Sequence, residues 1–264
     1  MAANMMYTAI SGLNTFNQAL SVVSNNIANA NTTAYKSQSV DFGNLVSGYM
    51  PTVYSSDTAQ GVGSAILSTS ADQGTGTEMQ TNLWSNLMVQ GSGFFEVKDS
   101  AGADHYTRDG AFQIDTKGYL TDANDDQVLD NGSAPISMTN SSTGALYASY
   151  SIDKNGVVWG TDSTGTQTSI ATIGITTFAN PNGLVSQGNN LFTTGPDSGT
   201  GTLGAPGDTT GAGTLISGAL EGSNVDLTSQ MVNLINYQAD YQANSKSIVT
   251  GNNLLQTVVN LISG

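Results

Sequence analysis

The sequence predicts an α+β protein: long N- and C-terminal helices forming an axial, coiled-coil-like core, with an antiparallel β domain inserted between them. Three observations predict it. Apolar residues return every seventh position at both ends, turn signals punctuate the middle at short intervals, and charge is nearly absent from the ends.

The C-terminal helix is the clearest element. Leu227, Leu234, Tyr241, Ile248, Leu255 and Ile262 keep a seven-residue spacing, the mark of a helix whose seam packs along another helix. Met231 and Val259 extend this stripe, and Ile235, Val249 and Val258 widen it. Asp226 is placed to cap the first turn, where a carboxylate meets free N–H groups and the positive helix end. A helix over 227–262 would be about 54 Å long at about 1.5 Å per residue. Gly251 inside it should cost about 1 kcal/mol relative to Ala.

Such a rod needs a partner of similar length, and the other end of the chain supplies one. Met6, Leu13, Leu20 and Ile27 repeat every seven residues, each followed three positions later by Ala9, Phe16, Val23 or Ala30. Lys36 is the first charged residue in the chain. Where an exposed helix would carry Lys and Glu, these helices carry Asn14, Asn17, Gln18 and Asn25, then Asn233, Asn236, Gln238, Gln242 and Asn244. Uncharged amides can be desolvated against protein once hydrogen-bonded, whereas unpaired charges cannot. Both helices are therefore expected to be surrounded by protein on most sides, and to become ordered on assembly.

The N-terminal helix is expected to end near Asn31, in a run of cap- and turn-forming residues. Residues 36–82 read as an extended linker with short β-like pieces at 52–54 and 65–67. From 83 to 213 the pattern changes to short strands and tight turns. Asp109-Gly110, Asp115-Thr116-Lys117-Gly118 and Asp153-Lys154-Asn155-Gly156 fall between β-prone runs and read as turns. Ile170 to Phe178 reads as one strand, and Pro196 to Gly213 as a Gly-Thr-rich loop. The chain then divides into 1–35, 36–82, 83–213 and 214–264.

Composition narrows the function. The net charge is −14, and sixteen of the twenty acids lie between Tyr49 and Leu220. So acidic a surface repels phosphate backbones, which argues against nucleic-acid binding. There is no Cys, hence no disulfide and no thiolate metal site. No apolar run has the length of a membrane span, so no membrane insertion is expected. The N-terminus lacks the features of a cleaved Sec-type signal. His105 is the one histidine and reads as a solvated surface residue; without a second His or a Cys there is no nucleophile–base pair. Gly91-Ser92-Gly93 leads into a strand and so is no phosphate loop. The Asp122–Asp130 run lacks Gly at the sixth position and Glu at the twelfth of a calcium loop; Gln127 and Ser133 stand there. No enzyme, cofactor or metal is predicted.

Three blocks carry a resemblance. Ser11-Gly12-Leu13 followed by Ser24-Asn25-Asn26-Ile27-Ala28-Asn29-Ala30-Asn31-Thr32-Thr33-Ala34-Tyr35-Lys36, then Gly91 to Val97 with Tyr106 to Phe112, then Ser217 to Leu227 with Tyr241 to Lys246 and Leu254-Leu255-Gln256, resemble the axial proteins of the bacterial flagellar rod and hook. Ala34 departs from the family's usual Gly before the aromatic, and Ala239-Asp240 stands where an Arg after the Gln is common. The resemblance implies a subunit exported by the flagellar type III apparatus, assembled under a cap and beside neighbouring axial proteins. It implies self-assembly into a tube that transmits motor torque. The ten heptad residues, Met6, Leu13, Leu20, Ile27, Leu227, Leu234, Tyr241, Ile248, Leu255 and Ile262, are expected to pack between subunits. The 217–227 entry and the Tyr-Gln-Ala-Asn segment favour a short hook subunit; the chain length suits a distal-rod subunit. A secreted β-rich adhesin is the more distant alternative.

Overall fold

The computed structural model describes residues 2–46, 61–140, 144–208 and 212–263, with side chains for all of these except 2–4, 262 and 263. The β-like piece expected at 52–54 lies outside the described residues. The chain is α+β, with one mostly β unit and two long helices. It folds as two compact units, one of residues 1–30, 37–71 and 225–264 and another of 31–36 and 72–224.

The first unit holds both helices. Helix α1 spans Ala2–Ala28 and helix α2 spans Leu227–Ser263. The cap of α2 is the expected one: Asp226 Oδ1 accepts the Thr228 N–H at 3.0 Å and its Oδ2 accepts the Ser229 hydroxyl at 2.6 Å. Strands β1 (Gln38–Val46) and β2 (Gly61–Ala71) pair antiparallel in the same unit, with register shifts after Asp41 and Leu45. Much of the segment expected as linker is therefore a hairpin. The two register shifts break any alternation: Phe42 sets its ring centre 5.9 Å from that of Phe16 on α1, while Leu45, Val62 and Leu67 remain open to solvent.

The second unit is built on strand Phe94–Lys98, central to a nine-stranded sheet. It is flanked by Asp104–Thr107, Gln127–Val128 and Ile175–Thr177, all antiparallel. Its core gathers Leu87, Val89, Phe95, Val97, Phe112, Leu120, Val128, Ile136, Met138, Val158, Ile173 and Ile175. The strand expected at 170–178 is two, Gln167–Thr172 and Ile175–Thr177, in different sheets. At the break, a side chain on Gly174 would run into the Asp130 carbonyl. Asp109-Gly110 does turn the chain, but Gly110 is not in the left-handed region. It is needed because a Cβ there would collide with the Leu87 carbonyl.

One device recurs through this unit. The Oδ1 atoms of Asp99, Asp115, Asp122, Asp130 and Asp153 each accept the backbone N–H groups two and four residues on, at 2.7–3.0 Å. The residue three positions after each Asp has positive φ: Gly102, Gly118, Asp125, Ser133 and Gly156. Each is a three-residue hairpin loop closed by its own carboxylate. A good part of the protein's acidity is thus turn chemistry.

Candidate assembly surface and buried charge cluster

Helices α1 and α2 run antiparallel, as their successive contacts show. Asn26 Nδ2 donates to Gln230 Oε1 at 3.2 Å, Phe16 meets Tyr237 with ring centroids 6.1 Å apart, Gly12 faces Asn244, and Gly251 faces Met5 and Met6. The buried line of α1 is Ala9, Gly12, Thr15, Ala19, Val23 and Asn26, mostly small residues that let the two backbones approach. Asn26, fully buried, treats strand β1 as a strand would: it donates to Gln38 O at 2.7 Å and accepts the Gln38 N–H at 2.9 Å. Thr15 Oγ1 donates to Ser64 O at 2.9 Å, and Phe16, Phe42 and Tyr237 form an aromatic trio.

The heptad residues lie beside this line. Met6, Leu13, Leu20 and Ile27 on α1, with Leu234 and Ile248 on α2, are half-buried. Leu227, Tyr241 and Leu255 are exposed, and the Ile262 side chain lies outside the described residues. Within the chain, the α2 residues turned inward include Gln230, Tyr237, Asn244 and Gly251, which also repeat every seven. The large apolar stripe is displaced sideways and largely unfilled. Met231, Val232, Ile235, Val249, Leu254, Val258, Val259 and Leu261 are exposed as well, Ile235 at 63%. Beyond Gly251, which meets the first turns of α1, α2 runs on with every described residue exposed.

The second unit contains a cluster that the motifs did not reveal. Lys36, Arg108 and Glu221 are each at most 4% exposed. Lys36 Nζ lies 2.7 Å from Glu221 Oε1 and 2.7 Å from the Gly74 carbonyl. Glu221 Oε1 also accepts the Gly76 N–H at 2.7 Å, and its Oε2 stands 3.8 Å from Arg108 Nη1. That nitrogen donates to Gly91 O at 2.8 Å, while the guanidinium carbon sits 4.6 Å from the Phe94 ring centre. Glu221 Oε2 and Arg108 Nε are buried without a hydrogen-bond partner. Burial pushes the Lys36 ammonium below its ordinary value, opposed chiefly by the Glu221 carboxylate, and pushes Arg108 in the same direction. Ala34 N–H donates to Glu221 O at 2.8 Å with Ala34 at φ +53°. A Gly would take this backbone conformation without strain, and Ala34 adopts it in spite of its Cβ.

His105 is not the solvated residue expected. Its side chain is only 17% exposed, with Nε2 3.5 Å from Asp99 Oδ2 and Nδ1 buried. The Asp122 carboxylate, at the head of the acidic run, is occupied by its own turn.

Comparison with known proteins follows the same three blocks. Residues 6–36 match a family model described as flagella basal body rod protein. Residues 88–160 match the flagellar hook protein FlgE/F/G D1 domain. Residues 216–261 match the C-terminal domain of the flagellar basal body rod FlgEFG proteins. The chain is 36% identical over 271 residues to the flagellar basal-body rod protein FlgG of Bacillus subtilis (strain 168), covering 97% of this chain and 98% of that protein. It is 32% identical over 266 residues to FlgG of Borreliella burgdorferi, covering 97% of each. Similarity to the flagellar hook protein FlgE of Escherichia coli (strain K12) is 42% over 113 residues, 43% of this chain and 28% of that protein.

Proposed function

The chain belongs to the flagellar rod and hook family of axial proteins, and on that premise we propose that it is a subunit of the distal rod, a structural part with no catalytic role. The observation that carries the rod reading is coverage: rod proteins match from end to end, whereas the hook protein matches under half of the chain. That reverses the preference drawn from the 217–227 and 241–244 segments, which both kinds of subunit share. It also leaves the adhesin reading without support.

In this reading the α1–α2 pair is the axial core. Met6, Leu13, Leu20, Ile27, Leu227, Leu234, Tyr241, Ile248, Leu255 and Ile262 pack against copies of the same chain, in coiled-coil fashion, to form a tube that carries torque. The support is physical: eleven large apolar side chains on α2 are exposed in the single chain, more than an isolated soluble helix pair retains without a partner. The acidic β unit, 72–224, keeps its charge in solvent. The subunit leaves the cytoplasm through the flagellar export apparatus and assembles under a cap, next to other axial proteins. Electron microscopy of isolated hook–basal bodies carrying a tag in the exposed turn at Ser163–Gly165 tests this. Label on the rod is expected; label confined to the hook would return the chain to the hook reading.

A further inference from the structure

The two units are joined by four passages of the chain, at 30/31, 36/37, 71/72 and 224/225. On the side of the β unit, all four lead to one place. Segment 31–36 is held by Ala34 N–H on Glu221 O and by Lys36 on the Glu221 carboxylate. Segment 72–76 is held by Gly74 O on Lys36 and by Gly76 N–H on Glu221 Oε1. The exit at 221–224 is held by Asn224, whose N–H donates to Tyr35 O at 3.4 Å and whose Nδ2 donates to Asp72 O at 2.9 Å. Arg108 ties the same carboxylate to Gly91 and Phe94 in the core of the unit.

We propose that the Lys36–Glu221–Arg108 cluster is a mechanical clamp, which binds every entering and leaving strand of the β unit into one junction so that tension on either terminal helix is borne by the whole unit. A buried ion pair is a weak source of net stability compared with apolar packing. It does fix three backbone segments at a common point, through directional contacts that an apolar cluster would not supply. The chain between these contacts is already closed where Gln38 pairs with Ala71 at the end of the β1–β2 ladder, and Lys36 on the Gly74 carbonyl at 2.7 Å holds both ends on the β unit. Tension entering at residue 31 then passes to Glu221 and, through Arg108, to Gly91 and Phe94 in the core, without loading that loop. The value of such a device rests on the torque-bearing role proposed above, but the clamp itself is a property of the single chain.

Single-molecule pulling of the full-length chain from residues 1 and 264 tests it without any flagellum. A failure of the clamp is therefore distinguishable from a failure of the rod assignment. The helix pair opens first, since α1 and α2 are pulled apart from one end. The wild-type β unit is then expected to yield in one step of roughly 650 Å, at about 3.4 Å per residue for 31–224. In Lys36→Met, the released junction should give way separately, as an earlier step of roughly 150 Å for 31–76 followed by one of roughly 500 Å. Glu221→Gln should divide the step in the same way. Val158→Ala, a cavity in the buried core, should lower the force of the single step without dividing it. An undivided step in both clamp variants, merely weakened as in Val158→Ala, would overturn the proposal.

Discussion

Glu221→Gln is the sharpest test of the buried cluster's energetics. The carboxylate is 1% exposed and faces two cations, Lys36 Nζ at 2.7 Å and Arg108 Nη1 at 3.8 Å. Removing one partner of a buried ion pair costs about 3–5 kcal/mol, because the surviving charge is stranded. Gln keeps the volume and an oxygen that can still accept the Gly76 N–H, so the lower end, about 3 kcal/mol, is expected. With a urea slope of about 2 kcal/mol per molar, the midpoint should fall by about 1.5 M. The pH dependence gives an independent check. Burial already depresses Lys36, and Glu221 is the main group opposing that. Without Glu221 the folded chain should release the Lys36 proton more readily still, while the unfolded chain holds it to the ordinary lysine value. Between those two values the unfolded state binds more protons, so stability rises with pH. The deficit should therefore shrink as pH is raised toward 10, and Lys36→Met added to Glu221→Gln should recover part of it. Urea titrations of the full chain at pH 7 and pH 9.5 measure both effects. A loss below 1 kcal/mol, or one that does not change with pH, would refute the reasoning.

Three further outcomes are expected. Ala34→Gly relieves a left-handed backbone strain of about 1–2 kcal/mol and loses a buried methyl worth about 0.8 kcal/mol. The urea midpoint should stay level or rise slightly, and a clear fall would contradict the φ of +53°. Glu96 is buried with only the Thr176 hydroxyl donating to it, at 2.8 Å, and desolvation raises its carboxyl above the usual range. The folded state then binds the extra proton between the ordinary and the raised value, and stability falls as pH rises through that window. Glu96→Gln keeps an acceptor for Thr176, so it should raise stability at pH 7 and flatten that fall in thermal melts from pH 4 to 7; a lower melting temperature at pH 7 would count against it. Gly251→Ala should gain up to about 1 kcal/mol of helix propensity, because the new Cβ meets only side-chain atoms, the Met5 methyl at 3.0 Å and the Met6 Cγ at 3.3 Å. Circular dichroism at 222 nm during melting reads it, and a loss of helicity would show the Met side chains cannot yield.

Both helices were legible in the sequence, from their seven-residue period. Which face turns inward was not. The inner line runs through Gly12, Ala19, Asn26, Gln230, Asn244 and Gly251, residues with little hydrophobic signal whose value lies in close approach and hydrogen bonding. The β1–β2 hairpin was hidden because two register shifts interrupt its ladder and Gly, Ser, Thr and Asn stand among its apolar residues, so no alternation appears. The turns at Asp115 and Asp153 were readable from their Gly three residues on. Those at Asp122 and Asp130 were not, since Asp125 and Ser133 take the left-handed position instead. The Lys36–Arg108–Glu221 cluster joins residues far apart in sequence, and only the rarity of positive charge in the chain hinted at it.

The most direct measurement of the central idea, that the uncovered apolar stripe of α2 is where copies meet, uses the absence of native Cys. Single-cysteine variants Met231→Cys, Ile235→Cys and Val258→Cys, with Ser163→Cys in an exposed turn as control, are labelled with maleimide in the free subunit and in isolated basal bodies. The account expects all four to react in the free subunit and only Ser163→Cys to react after assembly. Equal labelling of the three α2 positions in both states would contradict it.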